Sequence, residues 1–251
     1  MRKKSATKKI KKTKYDLIYG AHSVIELLRA KKRKLYSIYT TRPVPKSFSR
    51  IERYLPKYFF NTSYVSKDVL TRMAGTNDHM GIVALVSEFK FCKNIFDPKK
   101  NPFILLLDSI QDVRNLGAIL RSAYCTGVDG VVLCKKGAAP LNAVAHKTST
   151  GLVERLNVYL APSIKSAVME LKNAGYKFYM SVIKNGKDAT NVDYEVPLCL
   201  VIGSEAIGIS KSLLKEGKLI TLPQKTDDVS YNASVAAGIL LFLLSEKIER
   251  F

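Results

Sequence analysis

This 251-residue chain has no tryptophan, three histidines and four cysteines. Cys92, Cys125, Cys134 and Cys199 stand far apart in apolar surroundings and make no C-x2-C pair. They read as buried thiols in a reducing compartment rather than as metal ligands. His22, His79 and His146 form no cluster either, so no metal site is expected. No apolar run approaches the ~20 residues that cross a bilayer, and no apolar segment of the signal-peptide kind stands near residue 1. No membrane attachment is expected, and the location expected is cytoplasmic. Acids are scarce too: 21 Asp and Glu face 41 Lys and Arg, for a net charge of +20. Such an excess points to a polyanionic partner, most simply nucleic acid, with an anionic membrane surface as the competitor.

What is present divides the chain. Residues 1–14 carry eight cations and no acid, with almost nothing to bury, and are expected to be a disordered basic tail. An electrostatic arm for RNA, a solvated tail and a targeting segment all fit that composition. Residues 15–90 read as a small α/β domain: a helix after Gly20 with Ser23 as its cap, a strand over Leu35–Thr40, a helix over Arg50–Tyr58, a helix opened by Ser66, and a strand over Ile82–Val86. Basic residues there interleave with Tyr36, Tyr39 and Phe48, which suits RNA backbone contact and base stacking as well as an ordinary solvated face. Residues 91–101 read as a linker. From 102 to 251 the pattern is β/α alternation: an apolar strand over Phe103–Leu107, a helix from about Asn115, a strand over Gly130–Leu133, and a helix from Ser163 to a stop at Gly175.

The stretch from Leu198 onward carries the chemistry. An apolar strand, Leu198–Ile202, runs into Gly203-Ser204-Glu205-Ala206-Ile207-Gly208. A second strand, from Leu219 to Leu222, is stopped by Pro223. Ser230-Tyr231-Asn232 then opens an Ala-rich helix, with Ser230 or Asn232 as its cap. Two strand ends and one helix start can therefore converge on one crevice, where ligands bind in open α/β sheets. The two glycines have Walker-loop spacing, but Ile209 stands where the phosphate-binding lysine would be, and no G-x-G-x-x-G follows a strand. An ordinary tight turn would explain the glycines but not Glu205, Ser230 and Asn232 beside them. Arg121, on an otherwise apolar helix, calls for an acidic or phosphate partner.

Three blocks together resemble the SpoU (TrmH-like) family of RNA ribose 2′-O-methyltransferases: Asp108 to Ala123, with Asn115 and Arg121; Leu200 to Glu205, with Gly208; and Leu222-Pro223 followed by Ser230 to Gly238. Tyr19-Gly20-Ala21-His22-Ser23-Val24 and His79-Met80-Gly81-Ile82 are similar to the family's N-terminal substrate-binding domain, whose fold resembles ribosomal protein L30e. The resemblance implies an α/β SPOUT methyltransferase domain with a C-terminal trefoil knot, and S-adenosylmethionine bound at Gly203, Leu222 and Tyr231. It places Arg121 at the ribose hydroxyl and neighbouring phosphate, with Asn115, Glu205, Ser230 and Asn232 positioning substrate, cofactor and loop. It also implies a homodimer whose sites are completed across the interface. The substrate it implies is RNA, with a guanosine of large-subunit ribosomal RNA ahead of transfer RNA. A catalytically silent RNA-binding or ribosome-assembly protein of the same fold is the alternative. Where the family has Pro-Met-x-Gly, this chain has Pro223-Gln224-Lys225-Thr226, so Thr226 must avoid a glycine-only conformation or adopt a strained one.

Overall fold

The computed structural model describes residues 15–226 and 229–250; the basic tail, residues 1–14, lies outside the described residues. Two sheets organise the chain. The first holds β1 (Tyr15–Tyr19), β2 (Leu35–Thr40), β3 (Asn61–Tyr64) and β4 (Ile82–Ser87) in the order β1-β4-β2-β3. Its helices are α1 (Ala21–Ala30), α2 (Phe48–Glu52) and α3 (Lys67–Ala74). The sequence placed the first cap at Ser23, but α1 begins at Ala21 behind Gly20, and the buried Ser23 hydroxyl donates to the His146 carbonyl across to the second sheet. The helix expected over Arg50–Tyr58 is only the short α2. Ser66 caps α3 as expected, accepting from the Val69 N–H.

The second sheet is parallel throughout and seven-stranded. Its elements are β5 (Phe103–Leu107), α4 (Val113–Cys125), β6 (Gly130–Cys134), α5 (Ala143–Thr148), β7 (Val158–Ala161), α6 (Ile164–Ala174), β8 (Lys177–Ser181), β9 (Lys187–Asp188), β10 (Leu198–Ile202), β11 (Lys218–Thr221) and α7 (Ala233–Lys247). The strand order is β7-β6-β5-β10-β8-β11-β9. In β5 and β10 every residue is buried, because alternate side chains face opposite layers. Phe103, Leu105 and Leu107 join Leu198, Leu200 and Ile202 against α4 and α7; Ile104, Leu106, Cys199 and Val201 pack on the α6 side. Ser163 and Ser166 form a reciprocal cap at the start of α6, and Gly175 ends it in a left-handed conformation, both where the sequence puts them. The 91–101 stretch is no free spacer. Cys92 N–H donates to the Val158 carbonyl at 2.7 Å, and Phe96 is buried beneath Gly130.

The two sheets meet along an ion-paired seam. Arg33 donates to Glu154 at 2.7 Å and to Asp16 at 2.6 Å, and Arg155 pairs with Glu26. The approach is close enough that a Cβ on Gly151, at φ 83°, would sit 2.8 Å from the Ser23 Cα. No described helix is long and apolar enough to cross a membrane.

Candidate active site

Three neighbouring strands and one helix deliver their ends to a single cleft. It is lined by Ser181, Val182 and Ile183 at the exit of β8, Ile202 to Glu205 and Gly208 after β10, Leu222 and Gln224 after β11, and Ser230, Tyr231, Ala233 and Ala236 at the entry to α7. The open space is about 600 Å³, counting solvent at the mouth. Of the expected site residues, Gly203, Glu205, Leu222, Ser230 and Tyr231 line it directly. Ser181, Val182 and Ile183 carry no signal in the sequence and enter through strand adjacency alone, whereas Gln224 follows the Leu222-Pro223 block where the sequence departs from the family pattern.

The Gly203–Gly208 turn closes on itself rather than opening as a phosphate cradle. Ser204 N–H donates to the Gly208 carbonyl at 3.1 Å and Gly208 N–H returns a bond at 2.8 Å. A Cβ on Gly203 would lie 2.2 Å from the Gly208 carbonyl carbon, so only glycine fits. Asp108, buried at the end of β5, accepts from the Ser210 N–H at 2.8 Å and fixes the exit of this turn.

Glu205 is the hub of a polar cluster. Its Oε1 accepts from Asn115 Nδ2 and, at 2.6 Å, from Asn232 Nδ2; the two asparagines also meet at 3.3 Å. Asn232 does a second job: its Oδ1 caps α7, accepting from the Ser234 N–H at 2.9 Å. Asn232, not Ser230, is therefore the cap. Asn115 lies in the first turn of α4, behind the Asp112 cap, rather than in the loop before the helix.

Arg121 is not part of this cluster. Six residues beyond Asn115 on α4, it lies about 9 Å further along the axis and about a third of a turn round. It is exposed and makes no hydrogen bond or ion pair among the described residues. The structural salt bridge that an arginine on this helix could have made is absent among those residues.

Thr226 is not among the described non-glycine residues with positive φ, so the Pro223–Thr226 segment avoids the glycine-only conformation. No cysteine lines the cleft, and the four are not all buried as expected: Cys125 is exposed and Cys92 half-buried. Burial, with Asp108 adding to it, pushes the Cys134 thiol up to about 11, and complete burial pushes Cys199 well above its ordinary value. Both stay protonated at neutral pH, unlike the nucleophilic thiolate that methylation of a cytosine ring carbon requires. Among the described residues no group of His, Cys, Asp or Glu is arranged to hold a metal ion.

Known proteins resemble this chain in sequence and fold. The profile described as RNA 2′-O ribose methyltransferase substrate binding matches residues 17–92. YacO of Bacillus subtilis, assigned to the TrmH family of tRNA/rRNA methyltransferases, is 33% identical over 242 residues, spanning 93% of this chain and 96% of its own. The SpoU methyltransferase AviRb of Streptomyces viridochromogenes, solved with AdoMet, superposes with a TM-score of 0.78 at 21% identity over 94% of this chain and 92% of its own. An AdoMet-bound rRNA methyltransferase of Sinorhizobium meliloti gives 0.77 at 21% identity, covering 92% and 87%. These two superpositions establish a shared fold. With the SpoU rRNA methylase profile matching residues 102–242, the chain belongs to the SpoU rRNA methylase family.

Proposed function

We propose that this chain is an S-adenosylmethionine-dependent RNA ribose 2′-O-methyltransferase that acts, as a homodimer, on a guanosine of large-subunit ribosomal RNA. The observation that carries this reading is the cleft at the ends of β8, β10 and β11, closed by the Asn115–Glu205–Asn232 cluster, in a chain of the SpoU family. The residues present fit the cofactor. The cleft combines an apolar lining with hydroxyls, a carboxylate and the unpartnered Gln224 amide. AviRb and the Sinorhizobium enzyme, which share the fold along nearly the whole chain, both hold AdoMet.

Bound there, S-adenosylmethionine supplies a methyl group already activated on a sulfonium. The protein's task is to make the ribose 2′-hydroxyl nucleophilic and hold it in line. Arg121 is suited to the first. A fixed guanidinium beside the hydroxyl and its neighbouring phosphate stabilises the developing alkoxide without itself taking the proton, which passes to solvent as S-adenosylhomocysteine leaves. Gly203, Leu222 and Tyr231 hold the cofactor, while Asn115, Glu205, Ser230 and Asn232 orient substrate and loop.

Arg121 supports the dimer. It stands apart from its own chain's Glu205 cluster, on a helix that packs against α7. Val235, Ile239 and Phe242 on α7 are 41–55% exposed, an apolar strip that a second copy would cover. Pairing there gives Arg121 a route to the partner's cleft. The insertion of β10 between β5 and β8, with α7 returning onto α4, supports a threaded C-terminus. Ribosomal RNA is favoured by the family profile's description, while the substrate-binding profile over residues 17–92 and the net charge suit either RNA. The eight cations of residues 1–14 are assigned to phosphate contact.

The test is to incubate the protein with S-adenosylmethionine and ribosomal RNA, digest with nuclease and locate the methyl by mass spectrometry. A methylated ribose whose adjacent linkage resists alkali is expected. A methyl on a base, or none in the presence of bound cofactor, would overturn the reading, the latter in favour of a transfer RNA enzyme if transfer RNA is methylated instead and of a silent RNA-binding protein if neither is.

A further inference from the structure

We infer that the Gln224 side chain reads the adenine edge of the cofactor, pairing its primary amide with the 6-amino group and an adjacent ring nitrogen. The inference rests on reading the cleft as the cofactor site. Gln224 Nε2 is buried and meets no hydrogen-bond partner, and the amide makes no hydrogen bond among the described residues. The only other described side chain with such an atom is His146, whose Nδ1 lies 3.2 Å from the Glu154 carboxylate inside the ion-paired seam. A buried amide without a partner is a standing cost that a bound ligand can relieve.

Its position says which part of the ligand it meets. Leu222 and Gln224 both line the cleft while Pro223 between them is exposed, the alternation of an extended chain leaving β11. Since β11 pairs with β8, Leu222 lies beside Val182 and Ile183, and these side chains form an apolar wall at the ends of two adjacent strands. Gln224 belongs to that wall. The charged and hydroxylated lining, Ser204, Glu205 and Ser230, comes instead from the β10 turn and the approach to α7. A flat heteroaromatic ring needs apolar faces and polar partners at its edge, whereas the amino-acid end of the cofactor is charged and suits the other lining. A primary amide offers one donor and one acceptor side by side, and rotation about its last torsion exchanges them. That is the complement of adenine, whose amino donor flanks a ring-nitrogen acceptor; glutamine makes the same bidentate pair with adenine in nucleic-acid recognition.

Calorimetry with two ligands tests this: S-adenosylhomocysteine, and its analogue with unsubstituted purine in place of adenine. The wild type is expected to bind the adenine compound about tenfold more tightly or better. Gln224→Met, of similar volume, is expected to lose about that factor on the adenine compound and little on the purine analogue, so that the preference disappears. Its ligand-free melting temperature should be unchanged or higher, because the orphaned amide is gone. Gln224→Leu is read the same way should the methionine variant fold poorly. Equal weakening of both ligands would move Gln224 to another part of the cofactor and overturn the adenine assignment. Variant affinities within twofold of wild type would make Gln224 a plain loop residue. A wild type that binds neither ligand would instead bring down the cofactor reading of the cleft, and this inference with it.

Discussion

Arg33 and Arg121 have the same side chain in opposite circumstances. Arg33, in the seam between the two sheets, is 1% exposed and donates from Nε to the Ser87 carbonyl, from Nη1 to Glu154 and from Nη2 to Asp16, all within 2.7 Å. Glu154 is equally buried. Arg121, on α4 near the cleft, is exposed and has no partner among the described residues. The seam satisfies its charges internally, so its work is to hold the substrate-binding and methylase parts in one arrangement. Elsewhere, the Arg121 guanidinium and the Gln224 Nε2 meet no partner among the described residues, while Asn115, Glu205 and Asn232 bond one another beside the cleft. Partner count, rather than residue type, separates the two arginines.

The comparison can be broken first at the seam. Arg33→Met leaves Glu154 buried with only His146 nearby, and should destabilise the protein by about 3–5 kcal/mol. Urea unfolding should show that loss, while cofactor affinity of the folded fraction stays near wild type. Unchanged stability would remove the contrast. Arg121→Ala should do the reverse. Methyl transfer is expected to fall on the order of 100-fold, with melting temperature and cofactor binding retained. Near-normal activity would reduce Arg121 to a surface charge.

Asn232 belongs to both worlds, and two substitutions separate them. Asn232→Ala removes the α7 cap and should cost about 1 kcal/mol as well as activity. Asn232→Asp keeps the capping oxygen but sets a second carboxylate against Glu205, so stability should hold while methyl transfer falls. Unchanged methyl transfer in Asn232→Asp would leave the cap as the residue's whole role.

The smallest effect concerns His79, a satisfied core histidine. Its Nδ1 accepts from the Gly81 N–H at 3.0 Å and its Nε2 faces Thr71 Oγ1 at 3.1 Å, holding the turn at Met80-Gly81. Burial, and then the positive charges of Lys67 and Lys147, depress its pKa below 6.5. The unfolded chain therefore takes up this proton more readily than the folded one. The contribution is fully present above about pH 6.5 and is lost as pH falls below it. Unfolding free energies at pH 7.5 and 5.5 should converge more closely in His79→Gln than in wild type; an identical drop in both would assign the pH dependence elsewhere.

Several elements are legible from local sequence. The Ser163 cap, the Gly175 stop, the doubly buried runs of β5 and β10, and the glycine turn after β10 each follow from neighbours a few residues away. Non-local facts were not legible. Nothing near Ser181, Val182 or Ile183 marks them as cleft residues, because they reach it only through the placement of β8 between β10 and β11. The short α5 and β3 escaped because elements of a few residues carry no periodicity. Gln224 looked like a departure from the family pattern; only its burial against the apolar wall makes it a candidate contact.

If one copy's Arg121 serves its partner's cleft, two crippled proteins should repair each other. Arg121→Ala is mixed with Gly203→Val, in which the added side chain has no room in the β10 turn, and subunits are allowed to exchange. Random pairing puts one intact composite site on every mixed dimer, so methyl transfer should return to about a quarter of the wild-type rate. A mixture no more active than its components would contradict a site built from the cleft of one copy and the arginine of the other.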